Sequence, residues 1–474
     1  MKTDHANSAR PTDNLSRIAR TACFGILLGS LAWCPFPLGS NREWSLALLF
    51  LATAGSWMAW AYWAGHTLDM QAKNFRKLKV PAIAFAITIV WVIIQTIPLP
   101  DSQWAHPLWK TTAAFLGQPL PETISIDPWK TRTEALKLCL YLSVAWMVFT
   151  ITRNPDRAYK ALNAVIAIGA GYAIYAIVLR LLEAQQYELF YGVRLPAAGL
   201  SGPFVQRNNF ATFEGLAFLA ALLRLVEIVA ESIAGKDGRR KILSVLRCIF
   251  GRGFFSFSAS IITFSALVAT GSRAGFLAVC CALLVAGGLA IIKTRRDATT
   301  ASIAVRAGCI VSLLAMLTWL SGSALHEHFF DLMDAEKTDA VRLELWNASI
   351  RMLSNAPYLG LGLGTFEAAY PMYASQTLPY IIDKAHCDFL EFAAGVGLPA
   401  AMVWWFGLLW CCGILLRGLL KRRKQTAFVI LGLAATTLVI VHSAVDFSLQ
   451  IPAVAMLYAV LVGVSLAQSF SIRE

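Results

Sequence analysis

A chain of 474 residues in which 57% are hydrophobic and only 15% are charged carries more apolar surface than a soluble core hides, so a polytopic membrane protein is expected and a soluble enzyme is excluded. The formal charge of +13 would also suit nucleic acid, but the basic residues form short clusters without interleaved aromatic residues. No nucleic-acid partner is expected.

Apolar runs of about 17 to 25 residues, the length a helix needs to cross a bilayer, occur near 22–39, 44–64, 80–98, 134–152, 161–182 and 209–229. Further runs lie near 254–270, 275–292, 307–322, 388–416, 426–445 and 453–469. The reading is therefore all-α, a single membrane domain over 1–474 with about twelve transmembrane helices. Some twenty polar residues precede the first run, and no small-residue cleavage site follows it, so that run is expected to remain as an anchor.

Basic clusters at Lys73 to Lys79, Arg153 to Lys160, Lys236 to Lys241, Lys293 to Arg296 and Arg417 to Lys424 all fall on one side of a twelve-span topology. The positive-inside rule makes that side cytoplasmic and carries both termini with it. The ten cysteines show neither a disulfide framework nor zinc spacing.

Arg194, Arg207, Arg273, Arg342 and Arg351 fall on the opposite side, where orientation signalling does not account for them. Each could pair with a local carboxylate: Glu188 could serve Arg194, and Glu336, Asp339 and Glu344 surround Arg342. Taken together they suit an anion site, because a guanidinium fork matches phosphate oxygens. Arg207 opens a predicted helix, where free N–H groups also attract anions. Arg273 lies in Gly271-Ser272-Arg273-Ala274-Gly275, a minimal turn between two runs.

A large external loop follows, at 323–387. Arg342, Leu345, Trp346, Ser349 and Met352 recur at helical spacing there, so the loop is expected to be partly helical. Gly360, Gly362 and Gly364 lack the Lys-Ser or Lys-Thr ending of a nucleotide loop and read as a close backbone turn. Tyr370, Tyr373 and Tyr380 suit an interfacial aromatic belt better than sugar stacking. His326 and His328 have no metal-ligand companions and read as loop surface. His386, at the loop's end, is the candidate for proton transfer, weighed against a structural histidine bonded to Asp388 or a loop carbonyl.

Ala385-His386-Cys387-Asp388-Phe389-Leu390-Glu391, running on to Gly397-Leu398-Pro399, resembles the signature of the O-antigen ligase and Wzy-type O-antigen polymerase superfamily, which includes bacterial O-oligosaccharyltransferases. His386 and Gly397 match its spacing; Cys387, Gly395 and Ala400 depart from it. Gly202-Pro203-Phe204 with Asn208 and Asn209, Ser272-Arg273, Arg342 to Trp346, Gly360 to Phe366 and His442 to Pro452 resemble further blocks in family order, over 200–465, with Ile126-Asp127-Pro128 upstream.

The resemblance implies a GT-C-like glycosyltransferase bundle in the bacterial inner membrane. Its activity would be metal-independent transfer of a glycan from undecaprenyl diphosphate to an acceptor hydroxyl, on lipid A core or elsewhere, at the periplasmic face. His386 would be the base and Arg194, Arg207, Arg273 and Arg342 would hold the diphosphate; no cofactor or metal is expected. Partners would be the lipid-linked donor, the lipid or glycan acceptor and membrane lipids. A polymerase extending the repeat on its carrier is the alternative. A lipid-linked glycan flippase is the third reading, and of the paired broken helices and midspan charges that it predicts, only Glu214 approaches the description.

Overall fold

The computed structural model describes residues 11–99, 102–192, 199–236, 238–296, 332–375, 382–422 and 424–470. Among them there are helices and turns and no strands. In chain order the helices are α1 (Pro11–Trp33), α2 (Glu43–Gly65), α3 (Leu68–Ile94), α4 (Leu108–Leu116), α5 (Pro128–Ile151), α6 (Pro155–Leu181), α7 (Gln186–Tyr191) and α8 (Arg207–Ile233). Then follow α9 (Arg239–Ile249), α10 (Phe254–Ala269), α11 (Arg273–Arg296), α12 (Leu332–Asn355), α13 (Phe366–Tyr373), α14 (Asp388–Val396), α15 (Leu398–Lys421), α16 (Thr426–Ser443) and α17 (Pro452–Ser469).

Nine described helices are long and apolar enough to cross a membrane, or ten if α9 and α10, which meet at 72°, are counted together as one broken span. The chain is an all-α polytopic membrane protein. Predicted run 307–322 lies outside the described residues. Run 209–229 is covered by α8, which is enclosed along most of its length and keeps Glu214 fully buried.

Local chemistry sets several helix starts. Asp127 caps α5 by accepting from Lys130 N at 2.9 Å, and Asn154 caps α6 by accepting from the backbone of Asp156 and Arg157, each with proline just inside the helix. Two predicted boundaries change. The Lys73 to Lys79 cluster lies on α3 itself, which begins at Leu68 rather than near 80, because charged residues tolerate a helix that leaves the apolar region before it ends. Run 388–416 is not one span: Gly397, with φ 82°, breaks it into α14 and α15. A glycine is required there, since a Cβ would press into the carbonyl of Tyr358.

The centre of the bundle is α8, α16 and α17, with α6, α10 and α11 against α8, α5 against α17, and α3 packed on α15. A second apolar cluster, of Leu345, Met352, Leu361, Phe366, Tyr370 and Ala394 with their neighbours, gathers α12 and α13 over α14. Tyr370 is buried in that cluster beside Phe366, so it is neither a stacking platform nor part of a belt; Tyr380 lies outside the described residues.

The Gly360 to Gly364 stretch is a backbone-to-backbone seam. Leu361 N and Gly362 N donate to Ala394 O and Gly395 O at 3.0 and 2.9 Å, while Ile126 N donates to Leu361 O at 3.0 Å. Gln95 Nε2 closes the seam by donating to Leu359 O and Gly395 O at 2.6 and 2.9 Å. Gly395, too, is held to small size, because a Cβ would stand 3.0 Å from Gly362 O.

Candidate active site

The ends of α10 and α16 and the starts of α8, α11, α14 and α17 meet at one end of the bundle. His386, Arg207 and Arg273 collect there, with the charge of Arg342 acting on Arg207. His386 precedes α14 and has φ 51°, a left-handed conformation uncommon for a residue with a Cβ. Its backbone carbonyl accepts from Trp346 Nε1 at 3.2 Å, which ties the histidine to α12. The imidazole packs edge-on to Phe447, with ring centroids 4.9 Å apart, and its Nδ1 stands 3.6 Å from Oδ1 of Asp446.

Asp446 is completely buried in the turn between α16 and α17, and its Oδ1 accepts from Phe447 N at 2.8 Å. Burial favours the protonated acid, but His386, the nearby charge of His442 and the Phe447 N–H outweigh it and hold the carboxyl below its ordinary range. The turn and α14 are joined directly, since Asp388 N donates to Asp446 O at 3.2 Å.

Asp388 does not bond His386, as the structural reading of that histidine required. Its carboxylate accepts from Ser443 Oγ at 2.7 Å, Gln450 Nε2 at 3.1 Å and, more weakly, Leu449 N at 3.4 Å. Burial pushes the Asp388 carboxyl up to about 7 despite the bonds from Ser443 and Gln450. Cys387 is the N-cap of α14 but makes no side-chain cap bond, and burial raises its thiol. Glu391 works at that helix start instead, accepting from Ala385 N at 2.8 Å and lying 3.7 Å from Lys384 Nζ.

Arg207 and Arg273 open α8 and α11, so two helix N-termini face the same region. The two starts are tied together by Ser272 Oγ, which donates to Asn208 Oδ1 at 2.8 Å while accepting from Gly275 N at 3.2 Å. The guanidinium of Arg207 lies over the Gly271 turn: a Cβ built on Gly271 would be 3.6 Å from Nη1. Partial burial, and then the charges of Arg273 and Arg342, depress the Arg207 pKa below its ordinary value. Arg207 therefore feels the charges of two of the other three predicted arginines. Arg194, with its suggested pairing to Glu188, lies outside the described residues, as do His326 and His328.

Arg351 has another role. It donates to Glu344 Oε1 at 2.8 Å and to Tyr373 O at 2.7 Å, and Glu344 also accepts from the backbone and hydroxyl of Ser375. Burial opposes ionisation of Glu344, but the Ser375 bonds and the Arg351 charge lower its pKa. Glu344 was expected near Arg342; its position in the helix gives it to Arg351 instead.

Beneath the site runs a buried chain of polar groups, of which Thr212 alone lies outside the blocks marked by resemblance. His442 Nδ1 lies 2.8 Å from Thr212 Oγ1 and 3.0 Å from Ser448 Oγ, Thr212 Oγ1 donates to Ser448 Oγ at 2.9 Å, and Ser448 Oγ donates to Asn209 Oδ1 at 3.1 Å. It links α8, the helix of Arg207, to the turn that carries Asp446. Asp446 itself had a signal: it is a lone carboxylate between two apolar runs, a placement that is costly unless it serves a partner.

Residues 258–405 match the family model described as O-Antigen ligase. Over that segment the chain is similar to the O-antigen ligase family. The matched segment holds Arg273, Arg342 and His386 but starts after Arg207 and stops before Asp446, which the tertiary structure brings to the same cluster. No curated protein gives a significant match.

Proposed function

We propose that this protein transfers a glycan from undecaprenyl diphosphate to an acceptor hydroxyl, with His386 as base and Arg207, Arg273 and Arg342 holding the diphosphate. The observation that carries the reading is the convergence of a histidine backed by a buried carboxylate with Arg207 and Arg273 at two helix starts, where Arg207 also feels the charge of Arg342. With Nδ1 turned toward Asp446, Nε2 is the ring atom that takes the acceptor proton as the hydroxyl oxygen attacks the anomeric carbon. The bond from that carbon to the diphosphate oxygen breaks, and the lipid diphosphate leaves with the electron pair. Arginines fixed at helix N-termini stabilise this developing charge. Arg194 belongs to the same proposed set on sequence grounds.

The site would face the periplasm of the inner membrane, with both termini in the cytoplasm, as the distribution of basic residues requires. Transfer to lipid A core or a similar acceptor is the first reading and extension of the repeat on its carrier the alternative, since the two share this chemistry and differ in acceptor. The deciding experiment is analysis of the lipid-linked glycan that accumulates when the chain is inactivated. Full-length polymer on its carrier indicates a lost ligase, single repeats indicate a lost polymerase, and an unchanged pool removes the proposed activity.

A further inference from the structure

Helix α9 has no part in this site, and its surface is of an unusual kind for the molecule. It carries Arg239, Arg240, Lys241 and Arg247 in eleven residues, and no acidic residue occurs between Gly238 and Arg252. Ile242, Leu246 and Phe250 recur at every fourth position and are 64%, 48% and 74% exposed, with Leu243 on the same arc. One side rests on α8, where Cys248 is buried. The apolar arc faces away from that contact, and the exposed Arg240 and Arg247 lie beside it, about two turns apart.

The direction of α9 decides what this arc meets. It stands at 72° to α10, the apolar helix that follows it, so when α10 crosses the bilayer α9 runs close to the membrane plane. The bend is built into the chain: at Gly251 a Cβ would be 2.7 Å from Arg247 O, and at Gly253 it would be 3.0 Å from Cys248 O. An in-plane helix with an exposed apolar arc and a basic border sinks the arc among acyl chains and places its cations at phosphate depth. Clustered arginine and lysine at that depth favour anionic over zwitterionic lipid.

We propose that α9 is an interfacial helix that binds the anionic phospholipid headgroups of the leaflet on the basic side of the protein. The bound lipid steadies the end of α8 remote from Arg207. This rests on α9 alone and not on the glycan-transfer reading.

The test uses the full-length protein in a nonionic detergent, with thermal unfolding followed in mixed micelles of dioleoyl phosphatidylglycerol or dioleoyl phosphatidylcholine. Phosphatidylglycerol should raise the melting midpoint above the phosphatidylcholine value, and the difference should shrink as salt screens it. R239Q/R240Q/R247Q should lose at least half of that difference. R239K/R240K/R247K should keep it, as should K73Q/R76Q/K79Q, which removes three exposed charges from α3 instead. If the glutamine triple does not accumulate, Arg240→Gln and Arg247→Gln separately should each lose part of the difference. Wild-type protein without a phosphatidylglycerol preference, a preference retained in full by the glutamine variants, or equal loss in the α3 control would overturn the proposal.

Discussion

Nδ1 of His386 stands 3.6 Å from Oδ1 of Asp446, a buried carboxylate brought to it by the turn between α16 and α17. The distance is too long for a hydrogen bond in this state but short enough for the carboxylate to stabilise the imidazolium that forms when His386 takes a proton. Asp446→Asn should therefore lower the rate of transfer about 10- to 100-fold, with donor KM changed little. The melting midpoint is measured beside the rate, and a rate that falls only in step with the folded fraction would reduce Asp446 to a structural residue.

His386→Asn should abolish transfer, with a loss of about 100-fold or more, while the protein inserts and melts near the wild-type midpoint. Asparagine is the informative replacement because the backbone at 386 is left-handed, which asparagine tolerates better than alanine does. Expression and melting are measured beside activity, and near-normal transfer by a folded variant would end the assignment of His386 as base.

Arg207→Lys and Arg273→Lys should each weaken donor binding about tenfold or more, since an ammonium cannot reproduce the guanidinium fork on phosphate oxygens. Arg273→Lys is expected to be the more damaging, because the Gly271 to Gly275 turn leaves little freedom to reposition the charge. Arg351→Lys is the contrasting control: it should lower the melting midpoint through its lost bonds to Glu344 and Tyr373 O and leave donor binding per folded molecule unchanged. Titration with purified lipid-linked donor, alongside thermal unfolding, separates the two outcomes.

Gly362→Ala should destabilise the protein by about 1–3 kcal/mol. The added Cβ would stand 2.7 Å from Thr131 Oγ1 and 2.8 Å from Ser125 Cβ, at a φ of 103° that disfavours any side chain. The measurement is the unfolding midpoint in detergent, with Gly117→Ala as a control that has the positive φ but open space around it.

Asp388 gives stability a pH dependence. Its carboxyl lies at about 7 in the folded protein, above the ordinary aspartate value of about 4, so the folded state holds that proton more tightly than the unfolded chain does. The contribution is complete below about pH 4 and is lost as pH rises through about 7. Asp446, held below its ordinary range, has the opposite dependence and acts only at lower pH. Melting midpoints should therefore fall between about pH 4 and pH 7 in wild type, and Asp388→Asn should flatten that slope.

Membrane class, most helix positions, the helical reading of 332–355 and the attention paid to His386, Arg207, Arg273 and Arg342 were all legible in the chain itself. These follow from composition within one helix length and from charge balance across spans, which lipid imposes locally on every segment. The tertiary structure decided which of these residues meet. Arg351 and Arg342 look alike as sequence; α12 sets Glu344 on the face of Arg351, and the fold brings Tyr373 O and Ser375 to that same pair. The break at Gly397 depends on the Tyr358 carbonyl, which another loop brings there, so the apolar run alone read as one span. Asp446 and His442 lie in a block that the sequence marked only as a resemblance; their contacts to His386, Thr212 and Ser448 exist because α8, α14, α16 and α17 end together. Hydropathy records how far a segment avoids water, but it carries no information about which buried polar group will face which, because that is settled by helix rotation and packing between segments distant in sequence.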